Sequence, residues 1–157
     1  MSEMIMIYAS MTGNTEEMAN AIAEGIRESG KDLEINDIFD NPSASELEKY
    51  DGILLGSYTW GEGALPDEFL DFYEEMDKLD LSGKKAVVFG SGDTVYEDFA
   101  GAVDILIAKL QERGAEVVLN GLKVDTSPSP EDIEQCKQFG SEFVNHLNQQ
   151  ENCQISK

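Results

Sequence analysis

Three continuous apolar runs constrain this chain more than anything else in it: Met4-Ile5-Met6-Ile7-Tyr8-Ala9, Gly52-Ile53-Leu54-Leu55-Gly56 and Ala86-Val87-Val88-Phe89-Gly90. A strand with one wet face alternates apolar and polar residues. A strand that is apolar at every position is covered on both faces, as in a parallel sheet flanked by helices. Between and after the runs come segments with apolar residues at helical spacing. These carry Met18, Ala19, Ile22, Ala23 and Ile26; Phe69, Leu70, Phe72, Tyr73 and Met76; Val103, Leu106, Ile107 and Leu110; and Ile133, Cys136, Phe139, Phe143 and Leu147. Gly30 and Gly114 end the first and third of these helices. Two weaker strands complete the set: Lys31 to Asp37, where Leu33 and Ile35 alternate, and Glu116 to Leu119, resuming at Leu122 to Val124. A loop at 40–43 and a short helix from Ser45 to Lys49 carry no evident chemistry. Strands alternating with amphipathic helices make βαβ units with right-handed crossovers. The expected class is α/β, a three-layer doubly wound five-stranded parallel sheet. At 157 residues and 41% hydrophobic composition the chain builds one sizeable core, so residues 1–148 form a single domain and residues 149–157 are expected to fray.

The charge narrows the function classes. With 11 basic and 32 acidic residues the formal net charge is -21, and nucleic acid or an anionic membrane surface would be repelled; a basic protein is the natural partner. Met4 to Ala9 is too short for a secretory apolar region, and no apolar run approaches the roughly 20 residues that span a bilayer, so a cytoplasmic location is expected. Cys136 falls in a helical pattern and Cys153 in a polar tail, without C-x-x-C spacing or histidine neighbours, which reads as a buried spectator and a free thiol rather than zinc or redox chemistry. His146, the only histidine, has no catalytic companion.

In such sheets ligands bind beyond the carboxyl ends of the strands, where three loops fall. The first is Ser10-Met11-Thr12-Gly13-Asn14-Thr15. A polar turn opening a helix is by itself an ordinary cap. Three hydroxyls and an amide at a helix N-terminus also suit one phosphate held by neutral donors, since unpaired N–H groups and the helix dipole both favour an anion there. No basic residue precedes Arg27, and both G-x-x-x-x-G-K-S/T and G-x-G-x-x-G are absent. The second loop, Ser57-Tyr58-Thr59-Trp60-Gly61-Glu62-Gly63-Ala64-Leu65-Pro66, holds the only tryptophan; the third, Ser91-Gly92-Asp93-Thr94-Val95-Tyr96-Glu97-Asp98-Phe99, holds a tyrosine. Either ring alone is equally well read as a loop aromatic folded onto the core. Together with the phosphate turn they fit a flat aromatic ligand carrying a single phosphate, an offset stack adding roughly 0.5–1.5 kcal/mol beyond area burial.

At these residues the sequence resembles the short-chain flavodoxins, over nearly its whole length. Ser10-x-Thr12-Gly13-Asn14-Thr15, Thr59-Trp60-Gly61, Leu65-Pro66-Asp67 and Gly90-x-Gly92-Asp93-x-x-Tyr96-x-x-Phe99, with Gly101-Ala102-Val103-Asp104, are similar to that family in order and spacing. No insertion divides the fifth strand, as in the short-chain group. The resemblance implies the flavodoxin-like strand order 2-1-3-4-5, of which the flavodoxin fold is itself the type example, with FMN at the switch point. It implies the FMN phosphate on Ser10, Met11, Thr12, Gly13, Asn14, Thr15 and Thr59, and the isoalloxazine between Trp60 and Tyr96. Backbone contacts to the ring's polar edge come from Gly61, Glu62, Asp93, Asp98 and Ala100, with Gly63, Ser91, Gly92 and Phe99 completing the loops. Tyr58 stands where many relatives have a small hydroxyl residue near the phosphate, a contact that Ser57 or the backbone would replace.

The same resemblance implies a soluble monomeric one-electron carrier rather than an enzyme. It exchanges electrons transiently with basic faces of a flavodoxin reductase, ferredoxin-like donors and haem or other acceptors. It also implies that the Gly61 carbonyl turns toward flavin N5 and stabilises the neutral semiquinone, glycine visiting positive φ at little cost. From Tyr50 to Asp77 there are eight acidic and no basic residues, and Asp93, Glu97, Asp98 and Asp104 follow, whereas Arg27, Lys31, Lys78, Lys84, Lys85, Lys109 and Arg113 fall at helix ends or strand starts on the opposite edge. A negative flavin edge of this kind makes the reduced cofactor strongly reducing. Two alternatives are an NAD(P)H:quinone oxidoreductase on the same fold, which lacks basic residues to meet a nicotinamide nucleotide, and a flavin-free receiver module, which lacks an acidic pair after the first strand for magnesium.

Overall fold

Alternate side chains of the central strands enter two separate cores. The computed structural model describes residues 4–10, 13–40, 42–58, 65–92, 101–125 and 128–155. Its strands are β1 (Met4–Ala9), β2 (Glu34–Asp37), β3 (Gly52–Tyr58), β4 (Lys85–Gly92), β5 (Glu116–Val117) and β6 (Leu122–Asp125); its helices are α1 (Asn14–Glu28), α2 (Asp67–Glu75), α3 (Gly101–Glu112) and α4 (Pro130–Ile155). Ile5, Ile7, Ile53, Leu55, Ala86 and Val88 pack against Phe69, Phe72 and Met76 of the α2 segment and Val103, Leu106 and Leu110 of α3. Met4, Met6, Tyr8, Leu54, Val87 and Phe89 pack against Met18, Ile22 and Ile26 of α1 and Cys136, Phe139, Phe143 and Leu147 of α4. That division explains the runs without alternation, because both faces of β1, β3 and β4 are dry. Each fully buried Leu, Ile or Phe contributes roughly 1.5–3 kcal/mol of transfer free energy.

The sheet is parallel, in the order β2-β1-β3-β4-β5, with β6 also on β4. The fifth position is therefore one strand in two pieces: Glu116 and Val117 pair with Lys85 and Ala86, and Leu122 to Asp125 with Phe89 to Gly92. The expected continuous strand to Leu119 stops at Val117, and a Cβ at Gly121 would come within 2.5 Å of Val103 Cγ1, so the chain resumes pressed against α3. β2 begins at Glu34 rather than Lys31, since an edge strand has one neighbour and Leu33 packs on the α1 core without pairing. Residues Ala44–Lys49 form a 3-10 turn where a short helix was expected. Leu70, counted with the apolar positions of α2, is 40% exposed, because its neighbours Phe69 and Phe72 already fill that helix's inner face.

From β1 the chain moves outward to β2 and then returns across β1 to β3, so the loops leaving β1 and β3 part in opposite directions. A crevice opens between them at the carboxyl edge.

Candidate functional site

The three loops leave the sheet side by side. Ala9 pairs with Ser57, and Tyr58 with Ser91, so the carboxyl ends of β1, β3 and β4 are level and the segments beginning at 10, 59 and 93 start from neighbouring points. α1 begins at this edge. Gly13 occupies its N-cap position at φ 93 with no side-chain cap of its own, and a Cβ there would meet nothing within 4 Å. The turn is thus left-handed and open above, a conformation that favours glycine. The Glu16 N–H donates to Ser10 Oγ at 3.2 Å, so the cap function anticipated for this stretch is supplied from six residues upstream. Asn14 and Thr15 form the first turn, and the Thr15 hydroxyl lies 2.8 Å from Ser91 Oγ, both residues buried.

Ser57 donates to the Tyr58 carbonyl at 2.7 Å, and Tyr58 donates to Glu68 in the first turn of α2. Both hydroxyls at the end of β3 are engaged within the fold, Tyr58 being drawn toward α2. Gly92 closes β4. Met11, Thr12, Thr59, Trp60, Gly61, Glu62, Gly63, Asp93, Tyr96, Asp98, Phe99 and Ala100 lie outside the described residues.

The electrostatics are polarised along the strands. Among the described residues, α1, α2, α3 and α4 each follow a strand and start at the carboxyl edge, and each carries carboxylates in the first turn: Glu16 and Glu17, Asp67 and Glu68, Asp104, and Glu131 and Asp132. Burial first, then the nearby Glu16, Asp37 and Asp40, pushes the Tyr8 phenol up to about 12; burial and Glu68 also hold Tyr58 above the ordinary phenol range. At the other edge Arg27 and Lys109 sit in last helical turns, while Lys84 and Lys85 donate to the Tyr50 and His146 carbonyls. Lys123 departs from this division: on β6 opposite Gly90, it pairs with Asp104 at 2.8 Å. Its position follows from the strand resuming at Leu122, which places it in the half of a parallel strand nearest the loops. The Thr15–Ser91 contact, spanning 76 residues, has no comparable signal in the sequence.

Cys136 is fully buried and its thiol is pushed up to about 12, by burial and secondarily by Asp132. Among the described residues no cluster has metal-ligating composition, and no helix is long and apolar enough to cross a membrane.

A helix N-terminus, an open left-handed glycine turn and uncharged hydroxyl donors fit the phosphate end of FMN. Comparison with known proteins agrees. The family model described as Flavodoxin matches residues 6–140. A probable flavodoxin 2 of Bacillus subtilis is 46% identical over 144 residues, 92% of this chain and 95% of that protein. A flavodoxin of Maridesulfovibrio salexigens is 40% identical, over 85% of this chain and 92% of its own length. The crystal structure of oxidised flavodoxin 1 from Bacillus cereus superposes with a TM-score of 0.90 at 63% identity, covering 92% of this chain and 99% of that one. These relatives give the quinone oxidoreductase alternative no support, and the chain belongs to the flavodoxin family, electron-transfer proteins that bind FMN.

Proposed function

We propose that this chain is a low-potential, monomeric one-electron carrier of the cytoplasm, moving electrons between a reductase and haem or other acceptors through brief contacts at the carboxyl edge of the sheet. When bound, FMN supplies the one-electron chemistry; the chain's residues hold it and set its potential. Residues 10–15 and Thr59 take the phosphate, Trp60 and Tyr96 flank the ring, and Gly61, Glu62, Asp93, Asp98 and Ala100 offer backbone contacts to its polar edge. Gly61 supplies a carbonyl that favours the one-electron-reduced flavin. The observation that carries this is the level register of β1, β3 and β4, with Ala9 beside Ser57 and Tyr58 beside Ser91, which starts the three loops within one crevice.

Carboxylates in the first turns of α1, α2, α3 and α4 support both halves of the function. They oppose negative charge accumulating on a reduced flavin, and they steer basic partner faces toward it in fast, salt-sensitive encounters. Titrating the apoprotein with FMN and with riboflavin, while following Trp60 emission, tests the site. The expected result is quenching by both and tighter binding of FMN; unquenched Trp60 or equal affinities contradict it.

A further inference from the structure

We propose that Ser91 is a positioning residue for the phosphate end of the flavin site, acting through Thr15. The proposal rests on the function above, in which residues 10–15 take the phosphate. Thr15 is fully buried and Ser91 is 4% exposed, and their hydroxyl oxygens are 2.8 Å apart. Two hydroxyls bring two protons, and the bond between them uses one. The second proton is available to a further acceptor, and a buried hydroxyl proton is costly to leave without one.

The two ways of making the bond differ in what they present to an anion. If Thr15 donates, the spare proton belongs to Ser91 on the strand, and Thr15 turns lone pairs toward the start of α1. If Ser91 donates, the spare proton belongs to Thr15, in the first helical turn beside backbone N–H groups already suited to negative charge. A phosphate selects the second arrangement, and Ser91 makes it available by occupying the Thr15 oxygen with a proton of its own. Ser91 is well placed for this because its backbone is fixed between Tyr58 of β3 and Val124 of β6. It touches no ligand atom in this scheme; it sets which way Thr15 points its proton.

The test is a double-mutant cycle on the apoprotein with Ser91→Ala, Thr15→Val and both, measuring dissociation constants for FMN, riboflavin and inorganic phosphate. Ser91→Ala is expected to weaken FMN and phosphate binding about tenfold, to leave riboflavin unchanged, and to have no further effect when Thr15 is already Val. Ser91→Cys, which keeps a weak donor, is expected to fall between. An equal loss for riboflavin, or a full Ser91→Ala effect in the Thr15→Val background, overturns the proposal while leaving the phosphate site standing. Wild-type protein that binds riboflavin as tightly as FMN overturns the phosphate site and this proposal together.

Discussion

Tyr58 donates its phenolic proton to Glu68, fastening the last residue of β3 to the first turn of α2 across the loop between them. Tyr8 makes the same kind of bond to Glu16 at 3.2 Å, tying β1 to α1. Two phenol–carboxylate pairs thus brace the strand ends from which two of the three loops depart. In both, burial and the adjacent carboxylates favour the protonated phenol. A group whose pKa is higher folded than unfolded contributes stability that is complete below the unfolded pKa and is lost as pH rises toward the folded one.

Stability should therefore decline above about pH 10, the ordinary tyrosine value, with Tyr8 accounting for roughly 1 kcal/mol between pH 10 and 11. Urea unfolding of wild type and Tyr8→Phe across pH 9 to 11.5 checks this, as approximate bounds of the titration. The variant should show the shallower decline; parallel curves would contradict the prediction.

Lys109 is 5% exposed, donates to Asp77, lies 4.4 Å from the Tyr73 ring centre and has Glu112 at 3.8 Å. Its partner Asp77 is mostly solvated, its side chain 55% exposed. Removing the lysine leaves a carboxylate that water can serve, whereas removing the aspartate leaves a buried ammonium short of its main partner. Asp77→Ala should lower the urea midpoint more than Lys109→Met, and neither should change FMN affinity, because the pair is at the edge opposite the loops.

α1 and α4 touch backbone to backbone. A Cβ at Gly25 would come within 2.1 Å of the Lys137 carbonyl oxygen, and one at Gly140 within 2.4 Å of that of Ile22. Gly25→Ala and Gly140→Ala must push the helices apart, at about 1–3 kcal/mol each. Because α1 begins at the turn proposed to take the phosphate, its displacement should also weaken FMN binding. Thermal melts and flavin titration measure the two effects, and a fully stable Gly25→Ala would show that the helices are not in close contact.

How much of this was legible in the sequence follows from how many neighbours each residue has. The apolar runs of β1, β3 and β4 were legible, since strands dry on both faces are apolar along most of their length, whereas the ends of β3 and β4, which run on through the polar Ser57 and Ser91, were not. The edge positions were less legible: Leu33 is apolar yet unpaired, and the fifth strand breaks after Val117 for a contact between Gly121 and Val103 that no periodicity reports. At the site, the turn at 10–15 stood out through Gly13 and its hydroxyls, and the structure sets Thr15 where a helix begins. What sequence could not supply was partnership across the fold. Ser91 looked like one member of a loop, and Tyr58 like a departure from a family pattern, until each acquired its partner.

Asp67 stands exposed in the first turn of α2 at the loop edge. A carboxylate about 10 Å from a reduced flavin raises its energy by roughly 0.4–1.7 kcal/mol at an effective dielectric of 80 to 20, or about 20–70 mV for one electron. Asp67→Asn should raise the second reduction potential by an amount in that range at low salt and by less at high salt. A potential unmoved at low salt would assign the acidity of this edge to solubility alone.

An anaerobic reductive titration of the FMN-loaded protein, followed by absorbance, tests the one-electron carrier most directly. Two resolved one-electron steps are expected, with a neutral flavin radical accumulating between them and less of it in Gly61→Val. Passage straight from oxidised to fully reduced flavin, with no radical at any point, would contradict the account.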